Sequence, residues 1–258
     1  MQKEVQDLDL KKNRFVDYKN TSAMKKNNYQ HYNLLAEVLK YPDEKLVENT
    51  EKCWRFISKH YPQLKPDFFP FLDFIRSNSL DKIEEVYTKT FHIQAVCYLD
   101  LGYVIFGEDY KRGEFLVNMK NEQLLANNDC GNELADNLVN VLTLIPLIKI
   151  DDFRNDLASK IVIPALRKML EEFTEHRMQI REKVIRKMQK AVLQEGLQYG
   201  NIYKHLLATI LECFKTDFKE VVTNEVKVDP LYGREFIAGC GTCSTETAKK
   251  MVIDSIKE

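Results

Sequence analysis

YTKTFHIQAVCYLDLGYVIFGEDYKRGEFLVNMKNEQLLANNDCGNELADNLVNVLTL, residues 87–144, is the stretch that decides the fold. Its apolar residues recur at the three- and four-residue spacing of a helix face, not with the alternation of a strand. Two breaks interrupt the pattern. The first, Gly107-Glu108-Asp109-Tyr110-Lys111-Arg112-Gly113, sets two glycines and four charges between apolar segments. The second runs from Asn127 to Asp136, and its carboxylates Glu133 and Asp136 open another apolar run. Neither break carries a metal cluster, a phosphate loop or a nucleophile. A hydrophobic surface edged with carboxylates suits binding a peptide better than turning over a substrate.

Outward from this stretch the helical spacing continues. Residues 29–40 place Tyr32, Leu35, Ala36 and Leu39 on one face. Tyr41-Pro42-Asp43 ends that helix, because proline disfavours helix for the residue before it and leaves Asp43 to cap the next one. That second helix turns Leu46, Cys53, Trp54 and Ile57 inward. Further helices are expected over 66–78, 80–91, 95–106, 113–126 and 134–148. Another runs over 151–173 with Pro164 inside it, where a kink or restart is expected. A basic amphipathic segment spans 176–193, and Ile202, Leu206, Ile210 and Phe214 form a stripe over 201–214. Residues 220–228 are the single candidate strand. With 9 Gly and 7 Pro in 258 residues, few β-turns are available. The expected architecture is all-α: a flexible tail over 1–28, one helical bundle domain over 29–218, and a C-terminal extension over 219–258.

Composition narrows the function. A 44% hydrophobic fraction supplies a core, and a net charge of −1 argues against a general nucleic-acid binder. Residues 1–28 lack the apolar run of a secretory signal, and no stretch approaches the length of a membrane span. A cytoplasmic protein is expected. Without a signal peptide a disulfide framework is not expected either, and Cys53, Cys97, Cys130 and Cys213 lie among apolar neighbours like small buried hydrophobes.

At the level of motifs the chain resembles the molybdoenzyme-maturation chaperones of the nitrate reductase delta-subunit type, within the wider all-helical TorD/NarJ-like group. The residues that carry the resemblance are NLLAEVLKYPD (33–43), Tyr87 and Phe91, and the run from Leu99 to Leu116 with its Gly107-Glu108-Asp109 turn and Arg112-Gly113 pair. Glu133-Leu134-Ala135-Asp136-Asn137-Leu138 completes the set. Pro164-Ala165-Leu166 and Tyr203–Leu207 fit the closing helices more weakly. Ala135 and Val139 replace prolines of the family pattern, and Thr143 stands where a glutamate is usual. The resemblance covers roughly 29–215. It implies a non-enzymatic chaperone without a cofactor of its own. Such a protein binds the N-terminal region of an apo catalytic subunit until molybdenum bis(guanine dinucleotide) is inserted into that client.

A client segment of this class is apolar on one face and carries paired arginines in many cases. Phe91, Tyr98, Leu101 and Phe106 are the candidate groove, and Glu108, Asp109, Glu133 and Asp136 the candidate rim, since carboxylates take guanidinium groups in bidentate fashion. The same residues also read as core aromatics and helix caps. Arg112 either pairs with Glu108 or Asp136, holding the two acidic turns together, or meets a client carboxylate.

Other features stay open. Cys240-Gly-Thr-Cys243 has the spacing of a zinc or redox pair but lacks a second ligand pair and a βαβ context. The alternatives are therefore a zinc or redox protein, or a helical scaffold subunit of a mature complex. The basic segment 175–190 suits an acidic client surface, a phosphate, anionic lipid, or simple solvation. The five histidines form no i, i+4 pair, so no catalytic metal is expected. Monomer and dimer are equally compatible with the sequence.

Overall fold

The computed structural model describes residues 29–93, 95–180 and 202–219. The fold is all-α; among the described residues there is no strand. Helices α1 (His31–Leu39), α2 (Leu46–His60), α3 (Lys65–Ser77) and α4 (Leu80–Phe91) build the first half, with a short 3-10 turn at Pro62–Leu64 before α3. Helices α5 (Leu101–Phe106), α6 (Lys111–Leu125) and α7 (Leu138–Leu144) come next. The chain then runs through α8 (Asp151–Asp156), a wide π turn (Leu157–Val162) and α9 (Ile163–Glu171), and the last described helix is α10 (Ile202–Asp217).

Packing follows the apolar stripes. Helix α1 lies against α2 and α7, and α2 against α3. Helix α10 fits between α3 and α9, while α5 bridges α6 and α9. Tyr203 on α10 is the hub of the aromatic core: its ring centroid lies 5.4 Å from Phe71, 5.0 Å from Phe91 and 5.6 Å from Tyr87. Such offset and edge-on ring pairs each add about 0.5–1.5 kcal/mol beyond the area they bury.

The expected boundaries of α2 and α4 hold to within a few residues, although the expected Asp43 cap does not form, since α2 takes Lys45 as its N-cap residue with no side-chain cap bond. The carbonyl of Asp43 accepts the Leu46 N–H at 3.0 Å and its carboxylate accepts the Lys45 N–H at 2.9 Å, so the Pro42 turn leads directly into α2. Ser79 caps α4 by accepting from the Lys82 N–H.

Two expectations are corrected. The helix expected over 95–106 begins only at Leu101. Val96 and Cys97 instead give their N–H groups to the Thr90 carbonyl, at 2.8 and 3.2 Å. Residues 134–137 are a turn rather than the start of a helix, because Asn137 is the cap of α7, its side chain accepting the Val139 N–H. The restart expected at Pro164 is found: the wide turn ends at Val162, and Pro164 falls in the first turn of α9, the helical position that tolerates a missing N–H. The segments 1–28 and 181–201, the candidate strand 220–228 and Cys240-Gly-Thr-Cys243 lie outside the described residues.

One polar cluster ties the two ends of the described chain together. The Asp217 carboxylate, near the end of α10, accepts the Tyr61 hydroxyl at 2.7 Å and the Tyr32 hydroxyl at 2.9 Å, and lies 2.8 Å from His31 Nε2. Burial, followed by the Asp217 charge and hydrogen bond, pushes both tyrosine hydroxyls well above their ordinary range, so each remains a donor. A hydrogen bond to a charged group contributes about 1.5–3 kcal/mol. Tyr61→Phe is therefore expected to lower the unfolding free energy by about 2 kcal/mol, read from urea midpoints. A double-mutant cycle with Asp217→Asn should show the two losses to be non-additive.

Candidate functional site

The sequence-predicted residues converge where α4, α5, α6 and the 133–137 turn meet. An antiparallel backbone bridge between Asp100 and Asn137 joins two segments far apart in sequence. Leu101 donates its N–H to the Asp136 carbonyl at 3.0 Å, and Leu138 donates to Leu99 at 2.8 Å. Asp136 Oδ2 also accepts the Gly102 N–H at 2.8 Å. The first two backbone donors of α5 are thus satisfied by one residue far downstream, Asp136, in place of a local cap.

This contact explains Gly102. A Cβ there would stand 2.7 Å from Asp136 Oδ2 and 3.0 Å from Phe115 Cδ1. Gly107 ends α5 with φ +62°, a conformation other residues rarely adopt, and its N–H returns to the Tyr103 carbonyl at 2.7 Å. Asp109 then starts α6 by accepting the Lys111 N–H at 2.9 Å.

The second acidic turn is held by carboxamides. Gln123, buried on α6, donates to the carbonyls of Ala135 at 2.9 Å and Asn140 at 3.2 Å. Asn128 donates to Gln123 Oε1 at 2.7 Å, and Asn140 donates to the Leu134 carbonyl at 2.9 Å. Asn137 Nδ2 reaches Asp100 Oδ1 at 3.3 Å and Glu133 Oε2 at 3.4 Å, which sets these two carboxylates side by side.

The candidate groove and rim divide into enclosed and open members. Phe91 and Leu101 are core residues, and Phe91 stacks edge-on against Tyr87 and Tyr203. Neither offers a face to a peptide, which corrects half of the expected groove. Tyr98 is 43% exposed, and Phe106 is half-buried with its ring 5.7 Å from Phe115. Among the acids, Glu108, Asp109 and Glu133 are exposed, whereas Asp136 is buried. Asp136 is thus a structural acceptor and not a rim residue, a second correction.

Arg112 pairs with neither Glu108 nor Asp136; among the described residues no carboxylate comes within ion-pair distance of it. Its guanidinium lies over the Tyr103 ring, 5.1 Å from the centroid, and that ring meets Tyr98 edge-on at 4.6 Å. Next to this stack Tyr41 lies 5.4 Å from Tyr87 and 6.5 Å from His92. The resulting surface runs from Tyr41 and His92 past Glu133 and Asp100 to Arg112, Tyr103 and Tyr98. Asp100, Tyr103, Tyr41 and His92 were not legible as site residues. The signal available for Asp100 was its place immediately before an apolar helical run, hidden once 95–106 is read as one helix.

The electrostatics fit two acids held against each other. Burial raises the Asp136 carboxyl, and Asp100 adds to the rise; the Gly102 N–H and Arg112 oppose it. Asp136 Oδ1 is buried without a hydrogen-bond partner among the described residues. Asp100 is also raised by burial, against the opposing pull of Asn137, Arg112 and His92. Among the described residues no group of three His, Cys, Asp or Glu side chains is placed to hold a metal ion, and no helix is long and apolar enough to cross a membrane. Cys53, Cys97 and Cys213 are buried, and burial pushes the Cys53 thiol up to about 12. No protein-family model matches the chain, and no curated protein is significantly similar to it.

Two outcomes are expected from this geometry. Gly102→Ala should destabilise the protein by about 1–3 kcal/mol, since the added methyl displaces Asp136 or Phe115, and thermal unfolding checks it. The second concerns pH. A raised carboxyl holds its proton more tightly folded than unfolded. Its contribution is complete below the ordinary carboxylate range and is lost as pH rises through the raised value. Asp136→Asn keeps an oxygen for Gly102 but cannot ionise. Its urea midpoint relative to the parent should therefore rise as pH climbs from below the ordinary carboxylate range to above it. A difference independent of pH would contradict the assignment.

Proposed function

We propose that this chain is a cytoplasmic assembly chaperone, without catalytic residues, for a molybdoenzyme catalytic subunit of the nitrate reductase or nitrite oxidoreductase kind. It captures the N-terminal region of the apo-subunit and holds the subunit until molybdenum cofactor is inserted. The motif resemblance and the all-α fold support this reading. The observation that carries it is the open surface of Tyr98, Tyr103, Tyr41 and Arg112 set beside Glu133 and Asp100, with Glu108 and Asp109 at its edge.

The chemistry of that surface suits a helical peptide with one apolar face and cationic side chains. Exposed aromatic rings accept apolar anchors and cations alike. Carboxylates bordering those rings take guanidinium groups at the margin, where solvent lets a client leave once it has matured. The buried acid Asp136 acts from behind, by fixing α5 and hence the Tyr103–Arg112 stack. Every polar feature in this region positions or binds.

The test is calorimetric titration of peptides copying the N-terminal regions of nitrate-reductase-type catalytic subunits, together with the intact apo-subunit. Binding is expected, and charge reversal of Glu108, Asp109 and Glu133 together should weaken it by about tenfold or more, equivalent to ~1.4 kcal/mol, with helical content unchanged. Absence of binding to both peptide and apo-subunit would overturn the proposal. Unchanged affinity in the triple variant would remove these carboxylates from the surface.

A further inference from the structure

Helix α6 buries Phe115, Met119 and Gln123 and turns a different row of apolar side chains to solvent. Val117 is 59% exposed, Leu124 69%, and Tyr110, the residue before the helix, 80%. Seven residues on a helix return to nearly the same bearing, so the three lie along one line about 21 Å long. Leu125, 73% exposed, widens the row at its C-terminal end. Single exposed apolar side chains are ordinary, whereas several aligned on one helix face, here with small and polar residues between them, mark a contact surface.

The charges beside the row say what covers it. Glu114 and Lys120 stand three residues to either side of Val117. A second copy of α6 laid antiparallel and crossing at Val117 sets Tyr110 level with Leu124 of the second copy, and Glu114 level with Lys120 of the second copy. Symmetry repeats both pairings. A parallel copy would set Glu114 against Glu114 and Lys120 against Lys120. Gly113 is exposed, with open space where a Cβ would stand, and comes level with Asn121 of the second copy, so two backbones can approach beside the crossing point.

The geometry points to α6 as a twofold self-association surface, through which two copies of this chain pair antiparallel about Val117. The contact is isologous: each copy offers the same row to the other. One helix face is well below the roughly 800 Å² per partner of a stable complex. The dimer is therefore weak and forms in proportion to concentration. This inference does not depend on the proposed chaperone role.

Sedimentation velocity of the full chain across a wide concentration range tests it. The weight-average sedimentation coefficient should rise from the monomer value toward the dimer value. Val117→Lys should hold the protein at the monomer value throughout, with its helical content kept. Glu114→Lys should weaken association severalfold, and Glu114→Lys combined with Lys120→Glu should restore it, because the swap re-creates the same complementary pairs. A protein monomeric at every concentration would overturn the proposal, as would a dimer indifferent to these changes. So would a monomeric Val117→Lys protein that differs from a monomeric parent in peptide binding alone, since the row would then belong to a client.

Discussion

The capping of α5 by Asp136 is the constraint on which the candidate site depends. A six-residue helix has almost no intrinsic stability, and α5 has no side-chain cap of its own. Its leading N–H groups are satisfied by the carbonyl and carboxylate of one buried residue in the 133–137 turn. That contact fixes the height of α5, closes the gap over Gly102 and sets Tyr103 beneath Arg112. The cost is a carboxylate with one buried oxygen unmatched. The two bonds that the same residue makes to α5 offset part of the cost of that atom. The amides of Gln123, Asn128 and Asn140 support it by immobilising the turn from which it projects.

The Asp217 cluster is organised on similar principles with a different outcome. There Asp217 gathers three donor-capable side chains from α1 and the end of α2, and both of its oxygens are engaged. The acid therefore works as a junction between the earliest and latest described helices. Asp136 and Asp217 are both carboxylates near a helix end. Among the described residues one leaves a polar atom unmatched, and the other is fully used.

How much could be read in the sequence depends on the range of the forces involved. Helix α4 agrees with its expected range, because Ser79, the apolar spacing of Ile83 and Tyr87, and the stop at Phe91 are all local. The start of α5 was missed because Ala95, Val96 and Cys97 continue a helical apolar pattern, yet the Val96 and Cys97 backbone bonds go to Thr90 and Asp100 bridges to Asn137. Only long-range pairing distinguishes the two. Charge likewise revealed Glu108, Asp109 and Glu133 as surface residues, whereas Asp136 looked the same in the chain and is enclosed. Phe91 and Leu101 show the same ambiguity for apolar residues: spacing assigns them to a face, but only packing says which way that face looks. The cluster at Asp217 left no local trace, as its members lie as many as 186 residues apart.

The wide turn at Leu157–Val162 sets the phase of everything after it. A π turn accommodates one residue more than an α turn, and one residue is worth about 100° of rotation. Because the turn absorbs that residue locally, Ile163, Leu166 and Met169 keep their inward bearing; carried in an ordinary α turn, the same residue would swing them out of the interior. Helix α9 thereby presents its apolar side to both α5 and α10. A single-residue deletion in this span is accordingly a length change the helix can absorb, by narrowing to an α turn, whereas the same deletion within α9 would misalign the rest of that helix.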